Sequence, residues 1–310
     1  MRESTHLKAG DGDSGLVIVG LGELLWDEFP TGRHVGGAPA NYCYHCRRLR
    51  ADSFIVSAVG DDSQGKEIRA QLNLKGLNTT LVGDNDRFST GSVSVEMDSV
   101  GVPTYTIRPD TAWDHLSETK ESNRLAERAD AVCFGTLAQR SPNSRMFIQS
   151  FLQKTKHSCL RVFDVNLRQE FYDRSTIEKG LELANVLKLN EEELVVLRDM
   201  FDLGESTDTS LHTLAEAFAL DTVALTMGED GCLIHDKGDR IRSEGAQSGA
   251  IVNTVGAGDC FTAVLTVGLL RGYAMNDVAV QANLDASYVC TQEGAMPLMP
   301  DIRKDRSETR

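Results

Sequence analysis

The sequence lacks an excess of basic residues, and this limits the partners it can bind. Its 310 residues include 46 Asp and Glu against 32 Lys and Arg, which gives a formal net charge of −14. Nucleic-acid binding depends on basic patches that neutralise phosphates. We therefore expect no nucleic-acid partner, although N–H groups, a metal ion and one or two cations could still hold ATP locally.

The sequence also lacks a long apolar segment. No run of 18 apolar residues occurs, so we expect no transmembrane helix and no membrane partner. Residues 1–15 are polar and do not contain the apolar core of a signal peptide. We expect residues 1–15 and 303–310 to be disordered tails.

A complete zinc site is missing as well. Cys43 and Cys46, with His45 between them, resemble half of a zinc site, but no second cysteine pair follows and a structural site needs four ligands. The seven cysteines are odd in number and scattered. This pattern favours reduced cysteines in the core and a cytoplasmic protein.

Short strand-type runs alternate with helix-type segments along most of the chain, without an internal repeat. The predicted strands are Leu16–Gly20, Ser53–Val59, Ala131–Phe134, Leu160–Asp164, Val186–Leu189, Thr222–Thr226 and Cys232–His235. The predicted helices are Ala38–Leu49, Gly65–Lys75, His115–Ala129, Ser144–Lys156, Glu191–Phe201, Leu211–Leu220, Asp259–Arg271 and Asn276–Thr291. This alternation predicts an α/β fold with a mainly parallel sheet and helices on both faces.

Two regions interrupt the alternation. Residues 24–37 are turn-rich, whereas residues 89–107 alternate polar and apolar side chains and predict an antiparallel hairpin. A flap inserted into an α/β domain is typical of a lid over a site. We predict one domain over residues 16–302 with a small β-stranded lid from these insertions. An edge hairpin without function is the alternative, and the flap could also pair across a homodimer.

The most informative segment is NTVGAGDCFTA at residues 253–263. It places Gly256 and Gly258 directly before Asp259 and ahead of an apolar run long enough for a buried helix. Unpaired N–H groups at a helix N-terminus bind anions, and the adjacent carboxylate can take a proton. An anion cradle beside a base is what phosphoryl transfer to a hydroxyl requires. The alternative is a tight turn in which Asp259 only caps the helix.

Further polar clusters follow predicted strands. They lie at residues 20–23 together with Asp27, and at 36–41, 164–168, 190–193 and 226–231. In an open α/β sheet, ligands bind at the carboxyl ends of the strands. The clusters therefore predict a single crevice.

These motifs resemble those of the ribokinase-like (PfkB) carbohydrate kinase family. GGAPAN at 36–41 and NTVGAGDCF at 253–261 resemble its two signatures, NEEE at 190–193 its Asn-x-x-Glu motif, and TMGEDG at 226–231 its nucleotide-side motif. The similarity extends over residues 16–300, and GELLWDEFP, AWD and DVNLR look most like the fructokinase-type branch. The resemblance implies a ribokinase-like fold and ATP-dependent phosphorylation of a sugar hydroxyl, with fructose as the favoured acceptor.

The resemblance also implies roles for single residues. It makes Asp259 the catalytic base and gives the anion hole to Gly256, Ala257 and Gly258. It assigns the sugar to Asp27, Gly37 and Asn41, with Arg168 steadying the transferred phosphoryl group or a substrate anion. It gives the nucleotide side to Asn190, Thr226, Gly228, Gly231 and Asn283. Asn190 and Glu193 would organise Mg²⁺, largely through water.

Some of these positions have a second explanation in the sequence itself. Asn190 and Glu193 also fit a capping motif at the start of a helix. Asn283 is equally consistent with an ordinary residue on a helix surface. Trp113 could wall the sugar site or belong to the core. At Asn253 the family usually has Asp, in a region that often binds a monovalent cation. An Asn carbonyl can ligate K⁺, but the carboxylate charge is lost, so the implied K⁺ site is weakened.

The sequence bears on four alternative functions. A 2-keto-3-deoxygluconate kinase is favoured if Arg108 and Arg168 grip a carboxylate, and a ribokinase-type enzyme comes next. A catalytically silent, sugar-sensing relative would show degenerate motifs, whereas Asp259 and its glycines are present. A dinucleotide-binding oxidoreductase is excluded, because no third glycine and helix follow Gly20 and Gly22.

Overall fold

The computed structural model describes residues 15–29, 32–97, 103–246 and 248–300. The predicted tails lie outside these residues, apart from Gly15. The strands are β1 Val17–Leu21, β2 Leu25–Phe29, β3 Gly32–Gly36, β4 Asp52–Gly60, β5 Val82–Asn85, β6 Gly91–Met97, β7 Pro103–Ile107, β8 Ala131–Phe134, β9 Leu160–Asp164, β10 Val186–Asn190, β11 Thr222–Thr226, β12 Cys232–Asp236 and β13 Asp239–Ser243. The α-helices are α1 Ala38–Arg48, α2 Ser63–Leu74, α3 Lys120–Arg128, α4 Pro142–Gln153, α5 Arg174–Leu183, α6 Glu191–Phe201, α7 Thr207–Ala217, α8 Ala257–Leu270 and α9 Met275–Cys290.

Nine strands form the large sheet, in the order β13-β12-β11-β10-β9-β8-β1-β4-β5. The strands from β11 to β5 pair in parallel, and β12 and β13 add an antiparallel edge. Apolar side chains pack against both faces, with α3 to α7 on one and α1, α2, α8 and α9 on the other. The prediction of a mainly parallel sheet with helices on both faces is confirmed.

A second sheet has four strands in the order β3-β2-β6-β7. It consists of two antiparallel hairpins, β2–β3 and β6–β7, which are joined by parallel pairing of β2 with β6. Residues 24–37, which read as turns in the sequence, thus form most of a hairpin. The predicted hairpin at 89–107 is also present, although its turn at 99–101 lies outside the described residues. Together they make the small sheet, which carries Asp27 in β2.

Local capping explains where some helices differ from prediction. The helix expected from His115 begins only at Lys120, because Thr119 and Ser122 form a capping box just before it and residues 112–115 make a short 3₁₀ turn. Helix α5 was not predicted. It begins after Asp173, whose carboxylate accepts the Thr176 N–H. Neither difference changes which strand ends reach the crevice.

Within the described residues, no helix is long and apolar enough to cross a membrane. All seven cysteines are free thiols, and six of them are buried.

Candidate active site

Asp259 lies in the first turn of α8 and meets Asn41 from the first turn of α1. The Asn41 side-chain amide donates a hydrogen bond of 2.8 Å to Asp259 Oδ2, across 218 positions of sequence. Burial, followed by the nearby Asp164 carboxylate, raises the pKa of Asp259 to about 6, against the opposing effects of Asn41, Lys188 and Arg168. A carboxyl with this pKa is ionised at neutral pH yet basic enough to accept a proton.

The turn before Asp259 has the geometry of a helix N-terminus that glycine permits. Gly256 caps α8 at φ 81°, and a Cβ there would approach the Ala295 Cβ within 2.4 Å. The N–H of Ala257 points to the Thr254 carbonyl at 3.3 Å. The first N–H groups of a helix have no intrahelical acceptor. Gly258 and Asp259 are therefore the better-placed anion donors, and Ala257 is partly engaged within the protein.

The small sheet brings a second carboxylate to the same place. Asp27 packs over Gly36, where a Cβ would come within 2.1 Å of the Asp27 Oδ2. Burial raises the pKa of Asp27 to about 6, with Arg168 lowering it and Asp259 raising it. Gly37 precedes α1 at φ 109°, and a Cβ there would lie 2.5 Å from the Glu23 carbonyl oxygen. Glycine at both positions allows the hairpin to lie close over the crevice.

Glu23 is a site residue that the sequence did not single out beyond its cluster. Its side chain is only 4% exposed, and its Oε1 accepts the Ala38 N–H at 3.2 Å. Burial raises its pKa to about 7, and Asp259 and Arg168 act on it electrostatically. A small cavity of about 10 Å³ is lined by Glu23, Asp164 and Asn166, among others. Glu23 and Asp164 therefore face one enclosed space beneath the crevice.

Arg168 is exposed at the end of the β9 segment and acts electrostatically on Glu23, Asp27 and Asp259. The structure thus brings it to the predicted acceptor side. Arg108 is exposed, and its carbonyl accepts a hydrogen bond from Arg140. Trp113 is fully buried in the core with the Arg140 guanidinium 4.0 Å from its ring centroid, so its position is that of a core aromatic.

Asn190 and Glu193, which were predicted to lie on the nucleotide side, form a reciprocal capping box at the start of α6. Asn190 Oδ1 accepts the Glu193 N–H and Glu193 Oε2 accepts the Asn190 N–H, both at 2.8 Å. Glu193 Oε1 accepts the Leu167 N–H at 3.0 Å. Burial raises the pKa of Glu193, and the Lys188 ammonium opposes this. Both carboxylate oxygens thus have protein donors, which suits contact with Mg²⁺ through water rather than direct ligation.

The described residues contain no cluster of three or more His, Cys, Asp and Glu side chains that could hold a metal ion. A divalent cation here would have to be held mainly by phosphate oxygens, as Mg²⁺ commonly is. The donor set fits that arrangement.

Thr226 ends β11 directly beside Asn190 at the end of β10, so these two predicted nucleotide-side residues are neighbours. Gly228 and Gly231 follow at φ 54° and 88°, and a Cβ on Gly231 would lie 2.1 Å from the Ser243 carbonyl oxygen. The glycines therefore make a tight turn at the edge of the crevice.

Asn283 has a different environment from the one predicted for a nucleotide contact. It is buried, and its side-chain amide lies 3.1 Å from both the Ser243 hydroxyl and the Glu244 carbonyl oxygen. The amide ties α9 to the end of β13. A nucleotide contact would have to replace these bonds.

Asn253 is also engaged on both sides of its amide. Its Oδ1 accepts the Val255 N–H and its Nδ2 donates to the Gln292 carbonyl, each at 3.0 Å. The side chain thus bridges the loop before Gly256 and the loop that carries Ala295. A cation ligand needs free oxygens, whereas Nδ2 presents N–H groups here. The Asn253 side chain therefore offers a cation only the second lone pair of Oδ1, in keeping with the weakened K⁺ site that the sequence implies.

A buried ion pair lies beneath the glycine-led turn before Asp259 and was not predicted. Lys188 Nζ is 3.1 Å from Asp164 Oδ1, and both side chains are nearly inaccessible, at 7% and 6% exposed. The signal in the sequence is a lysine in the middle of the apolar strand VLKLN, since lysine is almost never buried without a partner.

A larger open cavity of about 640 Å³ lies near the other end of the strands, lined by Arg47, Asp52 and Asn78 among others. Asp52 begins β4, whereas the predicted site residues Asn190 and Thr226 end their strands. None of the predicted site residues lines this cavity.

A glycine-led helix N-terminus that carries a buried carboxylate, near a second carboxylate from a small sheet, is the arrangement expected of an α/β phosphotransferase acting on a hydroxyl. The pfkB family carbohydrate kinase model matches residues 21–302, so the chain belongs to that family of sugar phosphotransferases. The predicted ribokinase-like fold and enzyme class are confirmed.

Individual relatives span nearly the whole chain. The sugar kinase PH1459 of Pyrococcus horikoshii is 28% identical and covers 90% of this chain and 91% of its own. A fructokinase of Salmonella typhimurium is 29% identical, over 90% and 95% of the two chains. A 5-dehydro-2-deoxygluconokinase of Bacillus subtilis is 22% identical, over 86% and 84%. The solved structure of PH1459 with ATP superposes with a TM-score of 0.76 at 26% identity, over 91% and 94%.

Proposed function

We propose that the protein transfers the γ-phosphoryl group of ATP to a hydroxyl of a neutral sugar, with fructose as the first candidate. The observation that carries this proposal is the contact between Asn41 and Asp259 at the N-terminus of α8. It places a carboxylate of raised pKa beside helix N–H groups that can hold the transferred phosphoryl group. Similarity to the Salmonella fructokinase supports fructose.

In this account Asp259 accepts the proton of the attacking hydroxyl while Gly258 and Asp259 donate their N–H groups to phosphoryl oxygens. Asn41 holds one Asp259 oxygen and so orients the other toward the acceptor. Asn41 Oδ1 itself is buried and has no hydrogen-bond partner among the described residues. Since buried acceptors are usually satisfied, a sugar hydroxyl is a suitable donor to it.

On the nucleotide side, Mg²⁺ would enter with the phosphates and meet the Asn190–Glu193 box through water. This ion would neutralise charge on the phosphoryl groups during transfer. Thr226, Gly228 and Gly231 lie at the neighbouring strand end and line the triphosphate path. The small sheet acts as a lid, because Asp27 on β2 can reach the sugar while the sheet excludes water.

The charge around the acceptor favours a neutral sugar over a sugar acid. Asp259 acts electrostatically on both Glu23 and Asp27, and Arg168 acts on all three carboxylates. A substrate carboxylate would meet this negative field. The similarity to a 5-dehydro-2-deoxygluconokinase keeps a sugar acid among the acceptors to test.

The test is an ADP-release assay with ATP and Mg²⁺ on a panel of fructose, ribose, 2-keto-3-deoxygluconate and 5-dehydro-2-deoxygluconate. We expect the highest kcat/KM with fructose and almost no ADP release without sugar. A higher kcat/KM with either sugar acid, 2-keto-3-deoxygluconate or 5-dehydro-2-deoxygluconate, would contradict the assignment of a neutral acceptor. If the protein binds ATP but turns over none of these sugars, the proposed sugar kinase activity is contradicted.

A further inference from the structure

Lys188 occupies a position where lysine is rarely found. It is the central residue of β10, with Asp164 of β9 and Ala224 of β11 in register on either side. Its neighbours Leu187 and Leu189 are fully buried on the opposite face of the sheet. The Lys188 side chain points to the face on which α8 packs, and it ends directly beneath the first turn of that helix.

The ammonium is joined to this turn by short contacts. A Cβ on Gly258 would lie 3.0 Å from Lys188 Nζ. Asp164 bonds Lys188 through Oδ1, and its Oδ2 lies 3.1 Å from the Thr262 hydroxyl. The same hydroxyl is 2.9 Å from the Gly258 carbonyl oxygen. Lys188, Asp164 and Thr262 thus hold the turn that presents Gly258 and Asp259.

The charged groups around the first turn of α8 come from several elements. Asp164 ends β9, and Arg168 lies on the segment that follows it. Glu193 belongs to α6 and Asp259 to α8. Glu23, which follows β1, and Asp27, on β2, lie across the crevice. Burial lowers the pKa of Lys188, but Asp164 and Glu193 outweigh it and the pKa is raised.

A buried pair of this kind adds little net stability, because desolvation offsets the attraction between its charges. Its field, however, acts over a short distance in a medium of low polarity. A positive charge behind an anion hole stabilises the negative charge that develops there during phosphoryl transfer.

We propose that Lys188 is a positioning residue of the phosphoryl-transfer site, acting with Asp164 from behind the anion-binding turn without touching sugar or nucleotide. Asp164 fixes the turn through Thr262, and Lys188 places a positive charge against Gly258. This inference rests on the proposed function, since it assigns the pair a part in the same reaction.

The test compares Lys188→Met with Asp164→Asn. Removing the cation leaves Asp259 facing more negative charge, so its carboxyl should titrate at higher pH than in the unaltered protein. Removing the Asp164 charge should move the same titration to lower pH, while Asn can still accept the Thr262 hydroxyl. We expect kcat to fall roughly tenfold or more in Lys188→Met, with a smaller change in KM for the sugar.

The titration is followed by ¹³C NMR of the Asp259 carboxyl, assigned with Asp259→Asn. This readout needs no acceptor, so a failure of the sugar assay would leave it intact and would count against the proposed function alone. The exposed pair of Lys179 and Glu182, at 2.8 Å on α5, supplies matched controls. Lys179→Met and Glu182→Gln should leave the Asp259 titration and kcat unchanged.

Opposite displacements of the Asp259 titration in the two variants would support the inference. Displacement in the same direction, or none, in folded variants would overturn it. If either single variant does not fold, the double variant Lys188→Met/Asp164→Asn decides, because it leaves no unpaired buried charge. It should fold, titrate near the unaltered protein and still have a reduced kcat. Full kcat in the double variant, or its failure to fold, would overturn the inference.

Discussion

Asn41 Nδ2 and Asp259 Oδ2 are 2.8 Å apart, and this contact joins the start of the first helix to the start of the eighth. Both helices begin at glycine-led turns whose backbone has positive φ, Gly37 before α1 and Gly256 before α8. The two turns converge because α1 and α8 lie on the same face of the sheet. The contact leaves Oδ1 of Asp259 as the oxygen that can take a proton.

The first prediction concerns pH. Because Asp259 has a raised pKa of about 6, its basic form accumulates as pH rises through that value. We expect kcat/KM for the sugar to rise between about pH 5 and 7 and then level off. Steady-state rates at saturating ATP and Mg²⁺ test this. Glu23→Gln should retain the rise, and a profile that is flat across this range would contradict the role of Asp259.

The second prediction concerns Asn41. Asn41→Leu removes a hydrogen bond that favours the ionised form of Asp259, so the pKa of Asp259 should increase further. We expect kcat/KM to fall about 10- to 100-fold and its rise to occur at higher pH. Asn123→Leu, on helix α3 and away from the crevice, is the control. An unchanged profile in Asn41→Leu would show that the contact is incidental.

The third prediction concerns stability. The folded protein raises the pKa of Glu23 from 4.5 to about 7, so it favours the protonated form. Stability is therefore lost as pH rises from 4.5 through about 7, by roughly 3 kcal/mol at most. Glu23→Gln removes that charge, and its amide oxygen can still accept the Ala38 N–H.

Urea denaturation at pH 5 and pH 8 measures this effect. The variant should exceed the unaltered protein in free energy of unfolding at pH 8, with a much smaller difference at pH 5. A larger difference in the free energy of unfolding at pH 5 than at pH 8 would contradict the raised pKa of Glu23. Gly83→Gln is the control, because Gly83 is exposed on the edge strand β5 and the substitution removes no buried charge. It should not reproduce the difference between pH 5 and pH 8.

The fourth prediction concerns monovalent cations. Since the Asn253 amide bonds Gln292 and Val255 directly, kcat should be the same in K⁺, Na⁺ or tetramethylammonium salts of equal ionic strength. Asn253→Asp removes the donor to the Gln292 carbonyl and places two acceptors face to face. We expect kcat to fall about tenfold in tetramethylammonium and to recover with K⁺. Activation of the unaltered protein by K⁺ would contradict this account.

Much of the fold follows from patterns that are local in the sequence. Buried strands such as LRVFD and VLKLN read as apolar runs, and the glycine-led turn before Asp259 read as a helix start. The order of the clusters predicted that strand ends would share one crevice. Helix α5 was missed because its apolar face is short and its start depends on the Asp173 cap.

The site was harder to predict because its key contacts cross large sequence distances. Glu23 meets the N-terminus of α1, and Lys188 meets Asp164 only through strand register. Asn283 and Asn253 illustrate a second difficulty: each reads as a ligand-binding residue, and in the fold each side chain also ties two protein segments together. A motif fixes the residue type, whereas the fold decides which partner the residue finds.

The central claim is that Asp259 takes the proton of a sugar hydroxyl during transfer from ATP. Asp259→Asn keeps the size of the side chain and removes its basicity, so the most direct measurement is kcat with fructose beside ATP affinity by calorimetry. We predict a loss of roughly 10²- to 10⁴-fold in kcat with ATP affinity retained. An Asp259→Asn enzyme that keeps most of its activity would contradict the account.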